Sequence, residues 1–153
     1  MMRMHAKPEE KREIKDHYKS YDKMLAWVDE NTSNIAKQLT LDIKRNLKDV
    51  VEKPQGRYLC FYKGKPTNKS IFAAFLLTKK LLKVRIRTDP RTFRDPEKRV
   101  KPEMFKGWFF KTRQEREFKI TSKEQITYAI ELIKQSYDIS GDTKKQSSQW
   151  KEA

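Results

Sequence analysis

The sequence predicts an α+β domain: two N-terminal helices, a curved antiparallel sheet of about five strands, and one C-terminal helix packed on the sheet. Three observations predict it. Apolar residues recur at helical spacing up to about residue 49 and again after residue 122. Between these stretches the period becomes that of strands, broken by short turns. Strands joined by tight turns run antiparallel, and helices covering one sheet face complete the core.

Taking the elements in order, residues 9–30 read as a helix. Ile14, Tyr18, Tyr21, Leu25 and Val28 form one apolar stripe on it. Asn31-Thr-Ser-Asn34 is a break rich in N-cap residues, and a second helix is expected over 33–49 with Ile35, Leu39, Ile43 and Leu47 on one face. Pro54 and Gly56 end the helical region. Strands are expected at 57–63, 70–78 and 81–88. The second, apolar on both faces, belongs in the middle of the sheet. The third alternates Leu82, Val84 and Ile86 against Lys83, Arg85 and Arg87. Residues 89–106 form a long loop with three prolines. Residues 106–111 and 115–120 read as a hairpin. Ser122 and Gln125 have the spacing of a capping box that opens a final helix over 123–138. One domain therefore spans 1–138, with 1–32 as a helical extension, and 139–153 is expected to be a disordered tail.

Charge is distributed unevenly along this plan. The 153-residue chain carries a net +15. Residues 1–56 hold 12 basic and 10 acidic side chains, residues 57–119 hold 19 and 6, and residues 120–153 hold 5 and 5. Nearly all the excess, +13, belongs to the strand-rich segment. A field concentrated in this way attracts phosphates.

Most catalytic chemistries find no support. The four glycines are scattered, so no phosphate-cradling glycine loop exists. One cysteine, Cys60, and two histidines, His5 and His17, do not make a usual zinc site. Both histidines lie near the N-terminus, where no Ser-His-Asp or Cys-His arrangement is indicated. Asp89 with Glu117-Phe118-Lys119 loosely follows the Asp…Glu-x-Lys pattern of metal-dependent nucleases, a pattern of low specificity in a lysine-rich chain. No cofactor is expected. A lone cysteine, no apolar run of about 20 residues and no signal-peptide core point to the cytoplasm and away from membranes.

The binding candidates are more numerous. Lys83, Arg85 and Arg87 form a cationic row on one strand face, and Lys63, Lys65, Arg91, Arg94, Lys106 and Arg113 surround it. Arginine forks suit phosphate oxygens, and Trp108 offers a stacking ring.

Over residues 36–138 the chain also resembles an uncharacterised small domain. That domain often follows a PD-(D/E)xK-nuclease-like region in proteins labelled "predicted transport protein". The matching stretches are Asp49–Pro54 with Tyr58–Lys63, Lys79–Lys83 with Arg85–Pro90, Asp95-Pro96, Lys106-Gly-Trp108 and Ile130–Tyr137. The family's Gly-His-Trp-Gly is here Lys106-Gly-Trp-Phe109, without the histidine. The resemblance implies an α+β accessory domain associated with DNA-processing or defence proteins, and no activity. The expectation is thus a non-enzymatic module that binds nucleic acid through a basic sheet face. Docking of an acidic protein partner and a metal-dependent nuclease are the alternatives.

Overall fold

Helix α1 (Tyr21–Trp27), helix α2 (Glu30–Asn46), strands β1 (Val50–Gln55), β2 (Tyr58–Lys63), β3 (Ile71–Leu77), β4 (Leu82–Arg87) and β5 (Glu115–Ile120), and helix α3 (Ile126–Asp138) follow one another along the chain. The computed structural model describes residues 21–101 and 115–141. All neighbouring strands pair antiparallel in the order β1-β2-β3-β4-β5, so the α+β class holds. β3 is the central strand, as its two apolar faces predict.

The helices cover one face of the sheet. Met24, Leu25 and Val28 of the α1 segment, Ile35, Leu39 and Ile43 of α2, and Ala129, Ile130 and Ile133 of α3 meet Leu59, Phe61, Phe75, Leu82, Val84, Ile86 and Phe118 in one buried cluster. Burial of each large side chain contributes about 2 kcal/mol relative to exposure. Phe61 and Phe75 tilt together with ring centres 4.6 Å apart. The Tyr21 hydroxyl donates to the Ala36 carbonyl at 2.9 Å and pins α1 to α2.

α2 begins earlier than the predicted break. Its N-cap is Asp29, whose carboxylate accepts from the Thr32 amide at 2.8 Å. Thr32 and Ser33 are buried in the first turn, so Asn31–Asn34 is helix rather than linker. Four candidate caps in a row left the choice open, and burial of Val28 beside Asp29 decides it.

β1 replaces the expected end of that helix. Asp49 turns the chain with φ 56°, and Val50–Gln55 then runs as an edge strand. Pro54 obscured it in the sequence. The Gly64 amide donates to the Asp49 carbonyl, which fixes the ladder so that residues 51, 53 and 55 bond to β2. Pro54 lies on the outward parity, where its missing N–H costs no ladder bond. Gly56, at φ 59°, takes the first position of the two-residue turn into β2, as a type II′ hairpin requires. The expected strand 106–111, and with it the hairpin to 115–120, lies outside the described residues; β1 is the fifth strand of the described sheet.

α3 enters through a 3₁₀ turn, Lys123–Gln125. The capping box is not formed as expected. Ser122 makes no side-chain cap bond, and Gln125 Oε1 accepts from Thr121 N at 2.8 Å instead. The tighter 3₁₀ winding shifts the reach of Gln125 by one residue. At its other end α3 docks on an irregularity of the sheet. The β2–β3 register shifts between Phe61 and Tyr62, opposite Ile71–Ala73. Ser136 Oγ donates to the Phe72 carbonyl at 2.5 Å and accepts from Arg87 N at 2.8 Å. Residues 139–141, expected to begin the tail, are held as well: Ser140 Oγ donates to Ile71 O at 3.1 Å, and the Gly141 amide to Lys69 O at 2.7 Å. The rest of the expected tail lies outside the described residues.

The second face of the sheet has its own apolar centre, Tyr58, Cys60, Tyr62, Ile71 and Ala74. Burial pushes the Cys60 thiol up to about 12, so it is an inert packing group.

Ser136→Ala leaves a buried carbonyl and a buried N–H without their shared hydroxyl. A loss of about 2 kcal/mol in urea unfolding is expected, against near neutrality for Ser136→Thr if the added methyl fits. A loss below about 0.5 kcal/mol for the alanine variant would show that the hydroxyl does not join helix to sheet.

Candidate nucleic-acid interface

Ladder register places the predicted cationic row among specific neighbours. Side chains of paired residues share a face, so three rows cross the face opposite the helices. The first runs Gln55, Tyr58, Leu76, Lys83, Lys119. The second runs Lys53, Cys60, Ala74, Arg85, Glu117. The third ends on Arg87 and Glu115. Lys83, Arg85 and Arg87 do share a face, as their alternation predicts, but their surroundings differ sharply.

Arg85 is ion-paired. Its Nη1 lies 3.1 Å from Glu115 Oε2 and its Nε 3.5 Å from Glu117 Oε2. Its guanidinium also sits over the Tyr58 ring at 5.5 Å. Lys101 adds a second cation, 3.4 Å from Glu117.

Arg87 is buried, at 5% exposure. Nη2 donates to Asn68 O at 2.9 Å and Ile71 O at 3.2 Å, and Nε donates to Ser140 Oγ at 3.2 Å. Burial pulls its pKa down to about 10, with the Glu115 carboxylate pushing back. These contacts make Arg87 a strut between β4, the β2–β3 loop and the end of α3. Alternation in the sequence identified the face, but not which end of the strand is enclosed.

Lys63 is half-buried on the same strut. Its Nζ stands 4.3 Å over the Tyr137 ring and donates to Tyr137 O at 3.3 Å and Ser140 O at 3.4 Å, neutralising carbonyls at the end of α3. Lys65 is exposed in the β2–β3 loop, where its own carbonyl accepts from Ser70 Oγ at 2.6 Å.

Arg91 and Arg94 are exposed on the loop after β4. Arg91 grips Asp89 with Nε at 3.2 Å and Nη2 at 3.1 Å, and this hydrogen bonding holds the Asp89 carboxyl below its usual range. The backbone of Arg94 is clamped on both sides by Gln135, at 2.8 Å each, which leaves its side chain projecting. The loop owes its shape to Asp95, which accepts from the Arg99 and Val100 amides at 3.0 and 2.8 Å and from the Tyr128 hydroxyl at 2.5 Å. Burial raises the Asp95 pKa, but these three donors outweigh it and lower the group below its ordinary value. Lys106, Trp108 and Arg113 lie outside the described residues.

The nuclease pattern finds its groups engaged elsewhere. Glu117 is claimed by Arg85 and Lys101, and Asp89 by Arg91. Among the described residues no three His, Cys, Asp or Glu side chains gather at one metal-sized site. No described helix is long and apolar enough to cross a membrane.

Sequence reasoning passed over the cations at the hairpin ends: Arg57, Lys79, Lys80, Lys119 and Lys123. Lys79-Lys80 served only as a turn signal. Strand order and register were needed to see which turns are neighbours. Compared with protein-family models, curated proteins and solved structures, the chain matches none.

Arg87→Ala is expected to cost about 3 kcal/mol, because it orphans buried carbonyls and uncovers a cavity, while Lys65→Ala stays within about 0.5 kcal/mol. Urea unfolding of both variants decides whether Arg87 is a strut. Asp95 gives a pH signature. Its folded pKa lies below the unfolded value of about 3.9, so its contribution is full above that value and is lost as pH falls through the folded pKa. The stability gap between wild type and Asp95→Asn should therefore be constant above about pH 5 and shrink toward pH 3. An equal gap at both ends would show that the loop does not depend on the ionised group.

Proposed function

We propose that this domain is a non-enzymatic module that binds nucleic acid through cations of its sheet half, accessory to a DNA-processing protein and working in the cytoplasm. One observation carries the reading. From Arg57 to Lys101 there are 14 Lys and Arg against three Asp and Glu. Ion pairs absorb Arg85, Arg91, Arg99 and Lys101. Arg57, Lys65, Lys69, Lys79, Lys80, Arg94 and Lys98 remain exposed, with no ion pair among the described residues. Excess charge of one sign on a small surface is destabilising by self-repulsion, and phosphate groups relieve it.

The mode of contact follows from what the cations are attached to. They sit on short turns and a loop fixed by Asp95 and Gln135, so they are carried by a rigid frame. Such contacts address the phosphate backbone rather than base edges. The cytoplasmic setting is supported by Cys60, the chain's single cysteine, which is buried and unpaired.

Fluorescence anisotropy with labelled duplex DNA, single-stranded DNA and RNA tests the reading. Binding is expected at about 50 mM salt, with affinity falling by at least tenfold by about 200 mM as counterions are released. Failure of all three probes at low salt would sink it. Co-purification of one stoichiometric acidic protein in their place would point to protein docking.

A further inference from the structure

Of the predicted row, only Lys83 lies at the end of the sheet where the β1–β2 and β3–β4 turns leave. Gln55 pairs with Tyr58, Tyr58 with Leu76, Leu76 with Lys83 and Lys83 with Lys119, so these residues form the last complete row at one end of the sheet. Three turns leave from that end. The β1–β2 turn carries Arg57, the β3–β4 turn carries Lys79 and Lys80, and the exit from β5 leads to Lys123. The start of α2 is tied to the same end: Asp29 N donates to Lys79 O at 2.8 Å, and Asn31 Nδ2 to Thr121 O at 3.1 Å. The 3₁₀ entry to α3 also begins there. Six cations and two helix N-termini therefore converge on one edge of the molecule. Asp29, Glu30 and Glu124 lie on the helix side of it; the sheet row itself holds no carboxylate.

The pairing of β4 with β5 sets this end apart. One row further along, Arg85 meets Glu117, and the row after that sets Arg87 against Glu115. At the turn end the same two strands set Lys83 directly opposite Lys119, a like-charged pair that costs stability. Neither lysine has an ion pair among the described residues, and Lys119 is exposed. Among the described residues no ring is exposed at this surface: Tyr58 is 7% exposed, and every described Phe, Tyr and Trp is buried or half-buried. Single-strand readers use exposed rings as stacking platforms. Backbone readers of duplexes need only correctly spaced cations.

We propose that the turn end of the sheet, formed by Arg57, Lys79, Lys80, Lys83, Lys119 and Lys123, is the contact surface for the phosphate backbone of double-stranded nucleic acid. The site rests on the nucleic-acid reading above and narrows it to one edge and one substrate class. Lys83 and Lys119 bracket a phosphate between them, and the turn cations reach adjacent phosphates.

Two charge-matched variants test the site. The first replaces Lys79, Lys80, Lys119 and Lys123 with Gln. The second replaces Lys48, Lys65, Lys69 and Arg94 with Gln, at the opposite end of the sheet. All eight side chains are exposed, and thermal melts check that both variants remain folded. The first variant is expected to bind a short labelled duplex at least tenfold more weakly and to lower the slope of log affinity against log salt by roughly 3. The second is expected to lose less than about threefold. Wild-type protein should prefer duplex to single strand. Equal losses in the two variants, or a larger loss in the second, overturn the site while leaving the nucleic-acid reading standing. Tighter binding of single strands overturns the substrate class. No binding of any probe by wild type overturns both readings.

Discussion

The hydroxyl of Ser136 sits where the two halves of the fold meet. It accepts from the amide of Arg87 and donates to the carbonyl of Phe72, so one side chain of α3 bridges β4 and β3. That carbonyl belongs to the stretch where the β2–β3 register slips. A slipped register strands polar backbone groups, and a buried one without a partner costs about 1–3 kcal/mol. Ser136 and Ser140 satisfy them from the helix, and the Arg87 guanidinium satisfies them from the neighbouring strand. The position of α3 along the sheet, and so the location of its two ends, follows from this match.

Docking at that end sets the division of labour among the cations. Arg87 and Lys63 are enclosed where the end of α3 and the residues after it meet the β2–β3 connection, and their charge is used on carbonyls of the protein itself. The opposite end receives the starts of α2 and α3 and three turns, and its lysines remain outside. One strand, β4, therefore carries a structural arginine at one end and an accessible lysine at the other. Arg85 stands between them, with Glu115 and Glu117.

Much of this architecture was legible in the sequence. Period-two alternation in Leu82–Arg87 and the apolar run Ile71–Leu77 gave β4 and β3 their faces and the latter its central place. Four-residue spacing of Ile35, Leu39 and Ile43 gave α2. β1 was not legible, because Val50–Gln55 contains a proline and two charges and alternates only between half-buried and exposed. Cationic residues were legible as a total, and their roles were not. Whether an arginine is a strut or a contact depends on what ends above it, which is a matter of tertiary packing. Lys83 and Lys119 are far apart in sequence, and only strand register shows them to be opposed.

Pro54 has a bearing on how this molecule keeps to itself. An open sheet invites further strands onto its borders, since each border offers donors and acceptors in alternation. On the β1 border the outward positions are Val50, Glu52 and Pro54, and the last of these has no donor to offer. An incoming chain would meet an acceptor where its own carbonyl needs a hydrogen, with Lys53 and the exposed Val51 flanking the gap. Pro54 thereby takes one bond from any strand added along that border, and the positive field of the chain adds repulsion between copies.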